Sequence, residues 1–144
     1  MTIKQLLDQK GRQVYTISPD ASVYDAIKTM AEKGIGALVV IEGNEPVGIV
    51  TERDYARKVI LKGRSSKDTQ VREIMTPNFV FVRPDQTIEE AMAIMTEKRV
   101  RHLPVLEEGR LAGLISIGDV VKSIIEHQKF TIEQLTNYIQ GDRS

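Results

Sequence analysis

A chain of 144 residues with 20 basic and 20 acidic side chains has no net charge at pH 7, and it contains no cysteine. Non-specific binding to a nucleic-acid backbone relies on a basic excess that is missing here, and disulfides, thiolate nucleophiles and cysteine metal sites are excluded. Apolar runs such as GALVVI at 36–41 fall far short of the roughly 20 residues that span a bilayer, and MTIKQLLDQK has no signal-peptide core, so a soluble cytoplasmic protein is expected.

Residues 3–9 read as a flanking helix. A short strand over 14–17 runs into SPDAS, where proline disfavours helix in the residue before it. Ser22 then stands at an N-cap with Asp25 three positions on, and Val23, Ala26, Ile27 and Met30 follow at helical spacing. Two β-branched runs, ALVVI and VGIV, are joined by the turn-forming EGNEP, and a helix over about 52–62 comes next. The polar stretch GRSSKDTQ at 63–70 reads as a connection, and VREIM at 71–75 as a short helix stopped by Thr76-Pro77. The plan then repeats: a strand at 79–82, RPDQT, a capping box of Thr87 and Glu90, and a helix with Ile88, Ala91, Met92 and Met95 on one face. The strands HLPVL and LAGLI follow around EEGR, then a helix at 117–127. Last, FTIEQLTNYI sets Phe130, Ile132, Leu135, Tyr138 and Ile139 along a mostly apolar stripe of a helix over 130–140. Such a stripe packs on the protein's own body or on a second subunit.

The repetition is internal duplication. Shifted by 65 residues, Pro19-Asp20 meets Pro84-Asp85, and Ala26, Met30, Glu32 and Lys33 meet Ala91, Met95, Glu97 and Lys98. Leu38 and Val40 meet Leu103 and Val105, while Gly48 and Asp54 meet Gly113 and Asp119. Each copy is β-α-β-β-α in about 50 residues, a size that is marginal alone, so the two copies should share a core. The expected fold class is α+β (α/β), with repeat 1 at 5–62, a connection at 63–70, repeat 2 at 71–127 and a C-terminal helix and tail at 128–144.

Both copies carry a hydroxyl and a carboxylate at the same spacing: Thr51 and Asp54 in GIVTERD, Ser116 and Asp119 in GLISIGD. One reading is a helix start, with the hydroxyl at the N-cap and the acid at N3. The other is a binding site, because the pair ends a buried strand, where ligands of α/β folds collect, and a carboxylate accepts the cis hydroxyls of a ribose. A helix N-terminus beside it suits a phosphate. No Gly-rich phosphate loop occurs, so charged side chains would be needed. Arg101 and His102 at a strand entry are the candidates, with Arg53, Arg64, Ser65 and Ser66 weaker ones. The matching first-copy positions, Gly36 and Ala37, are small enough to admit a planar base. The two sites should therefore differ.

The duplicated unit, with its repeated G-h-h-[ST]-x-x-D and VRHLPV at 100–105, resembles a tandem pair of CBS domains over about residues 5–127. The resemblance implies that the copies pack through their sheets and leave two clefts for AMP, ADP, ATP, NAD or S-adenosylmethionine. It also implies ribose contacts from Asp54 and Asp119, with Thr51 and Ser116 beside them, and phosphate contacts from Arg101 and His102. The base would sit by Thr16, Ile17, Gly36 and Ala37 in the first cleft, and by Phe81, Val82 and Leu103 in the second. Ile117 and Gly118 depart from the charged Glu52 and Arg53 of the first copy. Such pairs form homodimers and regulate an attached enzyme or transporter, so a stand-alone regulatory sensor, not an enzyme, is expected here. A small enzyme has little to work with: two histidines, no cysteine and no metal-ligand spacing. A ligand-free docking module, acting through helices 3–9 and 130–140, is the other alternative.

Overall fold

The computed structural model describes residues 1–142. Helix α1 (Ile3–Lys10) begins on a capping box of Thr2 and Gln5. The first copy then builds β1 (Thr16–Ile17), α2 (Val23–Lys33), β2 (Ala37–Glu42), β3 (Glu45–Thr51) and α3 (Glu52–Tyr55), which continues as a π-helical stretch over Ala56–Ile60. A 3-10 turn, Val71–Glu73, leads to α4 (Ile88–Lys98), β4 (His102–Glu107), β5 (Arg110–Ser116) and α5 (Ile117–Asp142).

The duplication is visible in the register. β2 pairs antiparallel with β3 and β4 with β5, and each ladder slips at the matching place, between Val40 and Ile41 and between Val105 and Leu106. In the first sheet β1 runs parallel to β2, with Thr16 opposite Val39 and Ile17 opposite Val40. The strand expected at 79–82 shrinks to one bridge, Val82 opposite Val105. Pro104 stands where the first copy has Val39, and a residue without an N–H cannot complete the ladder.

Two cores hold the molecule, one in each copy, and the sheets meet along β3 and β5. The lead-in segments are exchanged. Ile3, Leu6 and Leu7 of α1 are buried in the second copy's core with Met95, Leu103 and Ile115, while Val71 and Ile74 are buried in the first copy's core. Backbone bonds fix both arrangements: Ile3 N–H donates to Gln86 O at 2.8 Å, and Ile49 and Thr76 bond each other at 3.1 and 2.9 Å. Gly48 and Gly113 are identical between copies because both lie under these segments. A Cβ on Gly48 would come within 2.7 Å of Met75 Sδ, and one on Gly113 within 2.6 Å of a Leu7 methyl. The expected break between helices at 128–129 is absent: α5 runs unbroken, since its sequence from Asp119 to Gln140 has neither Gly nor Pro.

Candidate functional site

Where the copies meet, a cavity of about 440 Å³ opens, within the size range of small-molecule sites. One wall is the end of β3 and the start of α3, with Thr51, Glu52, Arg53 and Asp54; the facing wall is the entry to β4, with Arg99, Arg101 and His102. Thr76, Asn78 and Phe79 of the intervening segment close the side.

Thr51 and Asp54 form a capping box: Asp54 N–H donates to Thr51 Oγ1 at 3.1 Å, and Thr51 N–H donates to Asp54 Oδ2 at 3.0 Å. The Thr51 hydroxyl also donates to Oδ2, at 3.1 Å. Oδ1 is left facing Lys58 Nζ at 3.2 Å, one helical turn on. The helix start and the cavity wall are thus the same residues. Ser116 and Asp119 repeat the cap, with Ser116 N–H to Asp119 Oδ2 at 2.8 Å. Their cation differs in origin. Lys10, at the end of α1, reaches Asp119 Oδ2 at 2.6 Å and the Leu114 carbonyl at 2.6 Å. The position matching Lys58 is Ser123, which is buried. Burial pushes the Asp119 carboxyl up, but Lys10 and the Ser116 amide outweigh it and hold the group below its usual range.

His102 approaches the first copy across the interface. A Cβ on Gly36 would lie 3.3 Å from its ring, so the glycine makes room for the imidazole. Burial, with Lys10 and Arg101, depresses the His102 pKa against the opposing pull of Asp119. Arg53 also crosses, donating to the Arg99 carbonyl at 3.5 Å. With three arginines and two carboxylates on the walls, and Lys58 beside one of the carboxylates, the cavity is net positive.

Gly36, Thr51, Arg53, Asp54, Arg101 and His102 therefore share one cavity. Thr16, Ile17, Phe81, Ser116 and Asp119 stand outside its walls, and Ala37, Val82 and Leu103 are core residues with no exposed surface. Arg64 is turned away to Glu73, at 2.5 Å. Sequence reasoning missed Arg99, Asn78 and Phe79. For Arg99 a signal existed: it aligns with Gly34, and both end a helix in the left-handed conformation, at φ 56° and 64°.

The CBS domain family matches this chain over residues 10–61 and again over 71–126. The chain is 40% identical, over 149 aligned positions, to the CBS domain-containing protein CBSX3, mitochondrial, of Arabidopsis thaliana, covering 97% of this chain and 72% of that one. A solved chain with CBS domains from Burkholderia ambifaria MC40-6 has a TM-score of 0.86 at 59% identity, covering 89% of this chain and 96% of that one. The CBS domain pair of MJ0100, solved with 5′-methylthioadenosine and S-adenosylmethionine, has a TM-score of 0.79 over 88% of this chain and 98% of that one. At 21% identity it is a likeness of fold. Among the described residues, no helix is long and apolar enough to cross a membrane.

Proposed function

The chain belongs to the CBS domain family, and from that premise we propose that it is a regulatory module binding a phosphate-bearing adenine nucleotide between its two copies. The observation that carries this reading is the cavity in which Thr51 and Asp54 of one copy face Arg99, Arg101 and His102 of the other. The Asp54 carboxylate takes the ribose hydroxyls in place of its 3.2 Å contact with Lys58, whose ammonium keeps its hydrogen bond to the Ile74 carbonyl at 2.8 Å. Arginines on the opposite wall take phosphate oxygens. Net positive walls favour AMP, ADP, ATP or NAD over S-adenosylmethionine, which brings a sulfonium cation of its own.

In the same reading the second cleft is the weaker one. Its Asp119 is held more closely by Lys10, at 2.6 Å, than Asp54 is by Lys58, at 3.2 Å, and Ile117 and Gly118 supply no charge where the first copy has Glu52 and Arg53. The role is regulation rather than catalysis, and the working unit is a homodimer. Calorimetry with AMP, ADP, ATP, NAD and S-adenosylmethionine tests the proposal. The phosphate-bearing ligands should bind, and S-adenosylmethionine should bind at least tenfold more weakly. Binding by none of the five rejects the nucleotide reading outright, and preference for S-adenosylmethionine rejects the phosphate assignment.

A further inference from the structure

Helix α5 has 26 residues, a length of about 39 Å at 1.5 Å per residue. Its first turns belong to the body: Val120 and Ser123 are buried, and Ile124 packs on the second copy's core. From Ile125 to Ile139 every residue is exposed. A helix of that length without a partner is marginal in water, and Ile, Thr, Phe and Tyr are weaker helix formers than Ala or Leu. Packing on a further surface is what this segment lacks.

Its apolar residues are ordered for such packing. Val121, Ile125, Ile132, Leu135 and Ile139, with Gln128 between them, advance by alternating steps of four and three residues. That is the heptad seam, with isoleucines in the a column at 125, 132 and 139, and Val121, Gln128 and Leu135 in the d column. The stripe is open: Ile132 is 62% exposed and Leu135 60%. β-Branched residues at every a position suit a two-stranded parallel coil, with Leu135 as the one leucine at d, and Gln128 is the single polar residue of the seam. The geometry points to a second copy of this chain as the occupant, paired in parallel and in register through α5.

Parallel pairing sets Gln128 against its own counterpart, so that the two amides bond each other. Antiparallel pairing of the same layers would bury Gln128 against Ile132 and place Lys129 beside the second Lys129. With Tyr138 at its border, 69% exposed, the stripe offers several hundred Å² per chain. The largest apolar patch on a monomer is commonly of this order, about 300–600 Å², and is often functional; the flanking polar residues of α5 would supply the rest of the roughly 800 Å² that a standard interface takes from each partner.

Sedimentation equilibrium of the full chain at micromolar concentration tests the assignment. The wild type should be a dimer, and Ile132→Glu with Leu135→Glu should raise the dimer dissociation constant roughly 100-fold or more by burying charge at two layers. Phe130→Ser, at an outer heptad position, should leave the dimer intact. As an independent measurement, Gln128→Cys should give a disulfide-linked dimer under a copper-phenanthroline oxidant, and Glu133→Cys should not. A monomeric wild type overturns the assignment. So does a dimer that survives the double glutamate change, or equal cross-linking at 128 and 133.

Discussion

Asp54 and Asp119 have the same local duty and different surroundings. Each caps a helix through its own Ser or Thr, but one lines the cavity beside Lys58 of its own helix, at 3.2 Å, and the other is held at 2.6 Å by Lys10 from a distant helix. Across from Asp54, Arg99 holds a left-handed backbone conformation that its counterpart Gly34 takes without cost. We predict that Arg99→Gly stabilises the fold by about 0.5–1 kcal/mol in urea unfolding, while weakening nucleotide binding by removing a cation from the wall. His102 gives a pH signature. Its folded pKa lies below the ordinary value, so the stability it contributes is complete above about pH 6.5 and is lost as pH falls through the lowered value. A bound phosphate favours the imidazolium, so nucleotide affinity should increase as pH drops from 7.5 to 6. His102→Gln should flatten that increase in parallel titrations.

At the scale of elements, the exchange of lead-in segments joins the two copies. α1 completes the second core, and Val71 with Ile74 completes the first, so neither copy is whole without chain from the other side of the duplication. Gly113 is where this joint is tightest. Gly113→Ala should destabilise the fold by about 1–3 kcal/mol in denaturant unfolding, because the new methyl meets Leu7, which has no exposed surface into which to retreat. The elements themselves were legible: proline punctuation, Ser22 and Thr87 caps and the apolar spacing of α2 and α4 all lie where the sequence put them. Less legible was what each element meets. Periodicity tells which face of α1 is apolar but not that its partner is the second copy. Likewise Thr51, Asp54, Arg101 and His102 could be singled out by residue type, whereas Asn78 and Phe79 enter the cavity only because the chain crosses between copies there. The lost strand at 79–82 was readable in hindsight from Pro104 alone.

At the scale of the whole molecule, a ligand touching both copies would couple its binding to how the copies sit against each other. A ligand shifts that arrangement only through different affinity for two arrangements, and α5 would carry any shift to the second subunit. In the proposed function, residues from opposite copies serve a single site. Calorimetric titration of ATP into the wild type, Asp54→Asn, Arg101→Gln and Asp119→Asn measures it most directly. Asparagine at 54 keeps a capping oxygen, so loss of binding there is not loss of the helix start. One ATP should bind per chain, weakened about tenfold or more by either Asp54→Asn or Arg101→Gln, and little changed by Asp119→Asn. Two equivalent ATP molecules per chain, or binding lost with Asp119→Asn and retained with Asp54→Asn, would contradict it.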